Sequence, residues 1–157
     1  MVVRSAESFE VDALAVLWHD AWHEAHASLV PAQLTALRTL QSFRDRLQAE
    51  LASVRVIGPS GCPSGFCIVR EAELYQLFVS ATSRGSGVAS ALLADAEQRL
   101  SSHGISTAWL ACAIGNDRAA AFYEKHGWRR VGTMVNPADT SEGAFLIQVW
   151  RYEKRLD

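Results

Sequence analysis

Residues 77–100, LFVSATSRGSGVASALLADAEQRL, constrain the fold more than any other stretch. They close an apolar, aromatic run that begins at Leu74, a pattern that favours a strand. Val88, Leu92, Leu93, Ala96 and Leu100 then recur at helical spacing. Between the two, Thr82–Gly87 has to reverse the chain. Strand, glycine turn and amphipathic helix in immediate succession demand a layered α/β arrangement, with the helix packed on a sheet. The turn also has chemical meaning. The first N–H groups of a helix have no partner within it, and they collect anions. Gly85 and Gly87 let the backbone approach a ligand closely, and Arg84 adds a forked positive group. No Gly-Lys-Ser/Thr closes the loop, so it is not a nucleotide-triphosphate P-loop. A dinucleotide fingerprint fails too, because Ser90 stands where the third glycine belongs and no acidic residue follows near Ile105. A glycine turn that binds nothing is the competing reading of the loop by itself.

The rest of the chain fits one mixed α/β (α+β) domain over 1–157. Val2–Arg4 reads as a short strand. Asp12–Ala27 reads as a helix, with Leu14, Trp18, Ala21, Trp22 and Ala25 near one face. Pro31 opens a second helical stretch, and Gln33–Leu51 continues it with a break expected near Leu40–Ser42. Val54–Ile57 and Phe66–Val69 form a hairpin across the turn Gly58–Gly65. Leu74–Val79 and Thr107–Ala113 are further strands, and Asn116 or Asp117 caps a helix that ends at Gly127. Arg129–Val135 and Phe145–Tyr152 form a closing strand pair, and the polar segment Asn136–Gly143 between them reads as a loop.

Composition narrows the function. A net charge of -2 on 157 residues argues against a general nucleic-acid binder. No apolar run approaches the roughly 20 residues of a membrane helix, and no signal-like stretch opens the chain. The odd cysteine count (Cys62, Cys67, Cys112) argues against a disulfide framework and for a reducing, cytoplasmic setting. No second pair completes a zinc site with Cys62 and Cys67. His19, His23 and His26 share a helix face, but H-x-x-x-H-x-x-H lacks a third metal ligand, so a solvated face or a pocket wall is expected and no metal. Glu7, Glu10, Asp12, Asp20 and Glu24 come without a Lys or Arg among them over 7–26, a weak pointer to a cationic acceptor.

A second motif follows the glycine turn by about 30 residues. Arg84-x-x-Gly87-x-Ala89 resembles the R/Q-x-x-G-x-G/A motif of the GCN5-related N-acetyltransferases (GNAT family). Asn116-Asp-Arg-Ala119-Ala-Ala-Phe122-Tyr123-Glu-Lys-His-Gly127-Trp128 resembles that family's next helix and strand. Two motifs in the right order are far more specific than either alone. The resemblance is strong over about Glu73–Gly132, and the strand order read from the residues is also the family's. It departs at Ser80-Ala81-Thr82-Ser83, where the family often has Pro and a bulky residue.

The resemblance implies a mostly antiparallel central sheet with one splayed parallel pair at a cofactor cleft and helices on both faces. It implies acetyl-CoA as cosubstrate, no metal, and transfer to a primary amine of a small molecule or peptide. Backbone groups of Leu77, Phe78 and Val79 would pair with the pantetheine arm. Arg84, Gly85, Ser86, Gly87, Val88, Ala89 and Ser90 would hold the pyrophosphate, with Asn116 and Ala119 beside the arm. Arg118, Lys125, Arg129 and Arg130 are further phosphate candidates. Tyr123 matches the family's general acid at the sulfur, and the Val79 N–H its oxyanion donor. Glu73, six residues before Val79 and so expected on the same face of the sheet, is a candidate base. Relatives are often dimers, and the five tryptophans leave room for an apolar interface. An acyl-CoA sensor without catalysis and a nucleotide-binding module of another family are the rivals.

Overall fold

The computed structural model describes residues 1–157. Its sheet has seven strands in the order β1-β2-β3-β4-β5-β7-β6. The strands are β1 (Arg4–Ser5), β2 (Val54–Ile57), β3 (Gly65–Arg70), β4 (Glu73–Val79), β5 (Thr107–Ala113), β6 (Arg129–Thr140) and β7 (Gly143–Arg155). The helices are α1 (Val11–His26), α2 (Ala32–Leu37), α3 (Leu40–Glu50), α4 (Val88–Ser102) and α5 (Asp117–Lys125). All neighbouring strands run antiparallel except β4 and β5. The mixed α/β fold with one parallel pair is therefore as the resemblance implies.

Strand alternation gives the sheet two apolar faces. Phe66 and Ile68 of β3 join Trp18, Phe43 and Leu47 beneath α1 and α3. Cys67 of β3, with Leu110 and Cys112 of β5, joins Leu92, Leu93 and Leu100 of α4 on the other face. Trp18 is fully buried and lies 4.9 Å from Phe43 and 5.3 Å from Phe66, centroid to centroid.

Several local expectations change. The break in the second helical stretch falls at Arg38–Thr39. Thr39 caps α3 by accepting the Ser42 N–H at 3.1 Å, as a β-hydroxyl residue readily does. Asn136–Thr140 is strand, with only Ser141 and Glu142 left to turn the hairpin. Pro137 is tolerated there because β6 is the edge strand and one of its faces needs no N–H donors. The tryptophans offer no exposed interface. Trp18, Trp22 and Trp128 are buried, while the guanidinium groups of Arg151 and Arg130 cover Trp109 and Trp150 at 4.5 and 3.7 Å. No helix is long and apolar enough to cross a membrane.

One irregularity matters for the site. Ile68 pairs with Gln76 but Val69 pairs with Leu74, so Tyr75 is an extra residue on β4. This bulge reverses the alternation, which is what such insertions do. Glu73 and Val79 therefore do not share a face, as even spacing would have required. Val79 packs with Leu74 and Leu77 toward α4, and Glu73 turns to the α1 side with Tyr75.

Candidate active site

β4 and β5 register only at Glu73 and Trp109, where the Trp109 N–H donates to the Ala72 carbonyl at 3.1 Å. Beyond that point the two strands part. The Ser80 N–H donates to Ser64 on the β3 side, so alternation turns the N–H and C=O groups of Val79 and Leu77 into the gap. A central strand thus presents an unpaired edge to a cavity of about 520 Å³.

That cavity is walled by the two sequence motifs. Leu77, Phe78, Val79, Arg84, Gly85, Gly87, Val88, Ala89, Ser90, Asn116, Ala119 and Tyr123 all line it. Ser86 does not; its N–H and hydroxyl both turn back to the Ser83 carbonyl. Gly87 is the N-cap of α4 with φ of 90°, in the left-handed region that favours glycine. The first bond of the helix runs from the Ala91 N–H to the Gly87 carbonyl, which leaves the N–H groups of Val88, Ala89 and Ser90 free at the mouth. A Cβ built on Gly85 would meet nothing within 4 Å, so the loop needs glycine for its backbone angles and not for space.

Arg84 is engaged by Glu24 of α1 in a bidentate pair, both contacts at 2.7 Å. The basic residues around the mouth are Arg84, Arg118 and Lys125. Arg129 and Arg130 lie elsewhere, and Arg130 donates to the Tyr152 hydroxyl at 3.0 Å. Asn116 caps α5, its side-chain oxygen accepting the Ala119 N–H at 3.4 Å, and its amide NH2 has no protein partner. Tyr123 is enclosed between Phe122 and Trp128, and its hydroxyl makes no hydrogen bond to the protein. Burial raises its phenol well above the ordinary range, so it is fully protonated at neutral pH.

A second cavity of about 310 Å³ lies on the α1 side of the same strands. Glu73 lines it, and its carboxylate has neither a hydrogen bond nor an ion pair. Burial lifts that carboxyl to about 7, against the opposing pull of Arg70. His26 lines the same wall, its Nδ1 3.2 Å from the Trp22 carbonyl. Burial lowers its pKa to about 4, so the ring is neutral at physiological pH. The other two histidines are occupied elsewhere. His19 pairs with Asp20, and His23 binds the Arg38 carbonyl through Nε2 at 2.7 Å. No group of three or more His, Cys, Asp or Glu side chains is placed to hold a metal.

Sequence reasoning missed Arg38 and Arg46, which also line this second cavity. Arg38 sits at the helix break, which falls just before the Leu40–Ser42 expected from sequence, and nothing in its neighbours marks it. The acidic run of 7–26 does not line it: Asp12 pairs with Arg44, Glu10 with Arg4 and Glu24 with Arg84.

No curated protein matches the chain by sequence. Among solved structures, the ribosomal-protein-alanine N-acetyltransferase of Brucella melitensis is similar over 99% of both chains, at 18% identity and a TM-score of 0.73. The PaiA N-acetyltransferase of Thermoplasma acidophilum, solved with coenzyme A, is similar over 98% of both chains, at 17% identity and a TM-score of 0.68. The YncA protein of Salmonella typhimurium, solved with acetyl-CoA, covers 100% of this chain over 94% of its own, at 15% identity and a TM-score of 0.67. These likenesses establish the fold. The family model described as "Acetyltransferase (GNAT) family" matches residues 17–128, most of the chain and both motifs, and the chain therefore belongs to that family.

Proposed function

We propose that this protein is an acetyl-CoA-dependent N-acetyltransferase that moves the acetyl group directly to a primary amine of a small molecule or peptide. The observation that carries this reading is the gap beside β4, with free backbone groups along one side and the unpartnered Tyr123 hydroxyl on its wall. An amide-bearing arm fits the exposed edge of Leu77 and Val79 as an added strand would. A pyrophosphate fits the free N–H groups of Val88, Ala89 and Ser90. When bound, acetyl-CoA supplies an acetyl group activated as a thioester.

The chain's own groups then divide the work. Glu73 takes the proton that an acceptor ammonium must lose before its nitrogen has a lone pair, and a carboxyl titrating near 7 is well matched to that task. The Val79 N–H, aimed into the gap, donates to negative charge developing on the acyl oxygen. Tyr123, protonated throughout the neutral range, gives its phenolic proton to the sulfur that leaves. Cys112 is not a nucleophile here, since burial pushes its thiol up to about 11. Direct transfer without a covalent enzyme intermediate accords with that.

The test is thermal unfolding with acetyl-CoA, CoA, ATP and NAD in separate samples, followed by CoA release with an amine panel. A ligand at 100 times its Kd adds about 2.7 kcal/mol, roughly 5–10 °C for a domain of this size. A shift with CoA species and CoA release with some amine is expected. A shift with ATP or NAD and none with CoA refutes the reading.

A further inference from the structure

The second cavity carries uncompensated positive charge. Of the thirteen arginines, only Arg38, Arg46 and Arg129 have no carboxylate within 4.0 Å, and Arg129 is exposed at the surface. Arg38 is 4% exposed, and its Nε has no hydrogen-bond partner. Its Nη1 donates to the Asp139 main-chain carbonyl, which supplies a dipole but no charge. Arg46 lies 4.3 Å over the Trp18 ring and donates one bond, at 2.9 Å, to the Tyr75 hydroxyl. Its Nε and Nη1 are buried without partners.

The acidic groups nearby do not neutralise these two. The Asp139 carboxylate accepts from Tyr75 at 2.5 Å and from Arg70 at 3.2 Å, and Arg70 also takes Glu50 at 2.5 Å. Glu73, the other acid on the wall, remains unpaired. A buried guanidinium without a counter-ion is costly, and two together repel each other. Burial, and after it repulsion from Arg46, depresses the Arg38 pKa to about 10, and at neutral pH it still holds its charge. The ring stack on Trp18, Phe43 and Tyr75 and the bond to Asp139 hold both groups in place. A ligand therefore need not order them.

We propose that this cavity grips the acceptor by an anionic group, a carboxylate set against Arg38 and Arg46, so that the acceptors are small amines bearing a carboxylate, of amino-acid size. This rests on the acetyltransferase reading and names its substrate class. The free Glu73 carboxylate on the same wall complements the ammonium end of such a zwitterion. Polyamines and other purely cationic acceptors would place charge against two unpaired arginines.

The experiment compares matched sets: free amino acids, their carboxamides, the corresponding decarboxylated amines, and short peptides. CoA release gives kcat/KM, and thermal shift gives binding, each with and without saturating CoA. The carboxylate set should exceed the other small amines by about 100-fold or more, the scale expected when a buried charge loses its partner. Peptides separate a free amino acid from a peptide terminus as the source of the carboxylate. Arg46→Gln should collapse the carboxylate-to-carboxamide ratio toward one, through KM, while the thermal shift with acetyl-CoA persists as the control for folding. Equal or better use of carboxamides or decarboxylated amines overturns the proposal. So does the absence of any acetylation or thermal shift with every carboxylate-bearing amine, whatever CoA does. Failure of CoA species to bind, by contrast, would sink the acetyltransferase reading and leave the amino-acid binding arm to be scored separately.

Discussion

Replacing Glu73 with Gln tests the base assignment without any knowledge of the acceptor. A carboxyl raised from 4.5 to about 7 is disfavoured in its ionised form by roughly 3 kcal/mol, and nearer half of that once water screening at a partly exposed site is allowed for. The folded state binds this proton more tightly than the unfolded chain, so Glu73 supports the fold below about 4.5 and loses that contribution as pH rises through about 7. The charges that face it are Arg70 on β3, Asp139 on β6, Arg151 on β7 and the adjacent Glu71, of which only the arginines lower its pKa. Burial outweighs them. Glu73→Gln should therefore stabilise the protein more near pH 8.5 than near pH 5, by about 1–3 kcal/mol, or roughly 3–10 °C in Tm.

The kinetic half of the test has the opposite sign. Wild-type kcat/KM should climb through about 7 as Glu73 ionises, and the variant should fall by about 100-fold or more and lose that limb. Gain in stability together with loss of activity is the signature of a group buried for function. Melting curves and pH–rate profiles of both proteins read it. If the variant gains nothing at high pH relative to low, Glu73 is not buried as its surroundings indicate. If the pH profile is unchanged, Glu73 is not the base.

Four further outcomes are expected. Tyr123→Phe should lower kcat by about 100-fold while the thermal shift with acetyl-CoA is kept; an equal loss in both would make Tyr123 a binding residue. Gly87→Ala forces a Cβ into φ of 90°, which costs about 1–2 kcal/mol and should weaken CoA binding measured by calorimetry, whereas unchanged affinity would mean the loop does not hold the phosphates. Glu24→Gln frees Arg84 and removes a negative charge beside the anion site, so CoA should bind more tightly, up to about 5-fold and less at high salt; weaker binding would show that the pair organises the site. Glu10 is fully buried against Arg4, whose guanidinium holds its carboxyl down to about 2, and Glu10→Gln should cost about 3–5 kcal/mol in urea unfolding at neutral pH and progressively less toward pH 2.

What the sequence revealed depended on how local each cause was. The glycine loop at the cavity mouth was legible because a glycine turn, an unpaired helix start and a helical stripe are written in neighbouring residues. Asn116 and Tyr123 were legible because they fall within one helix and its cap. The cavity wall on the other face was not. Arg38 and Arg46 come from a helix break and a helix face. Tyr75 and Asp139 come from strands that meet them only in the folded sheet. Asn136–Thr140 read as loop because Asn, Pro and Asp are poor strand formers, and it is strand because the hairpin partner Gly143–Ile147 and an edge position override that preference. The pairing of buried Glu10 with half-buried Arg4 was invisible for the same reason: Glu10 also binds the Gly61 N–H, a group fifty-one residues away in sequence.

Both candidate chemistries depend on one inserted residue. Without Tyr75 as a bulge, strict alternation would set Glu73 on the face of Leu77 and Val79, inside the apolar layer beneath α4. A carboxylate there would be buried among Leu92, Leu93 and Cys67, where ionisation is strongly disfavoured, and the second cavity would lose its one unpaired acid. With the bulge, one strand offers Val79 and Leu77 backbone groups to the gap, their side chains to the α4 core, and the Glu73 carboxylate to the opposite wall. The extra residue is itself used: its hydroxyl ties Arg46 to Asp139, so the bulge that aims the acid also fixes one of the two unpaired cations. The acid and one of the two cations thus depend on a single register shift, as the proposed grip on both ends of a small zwitterion would require.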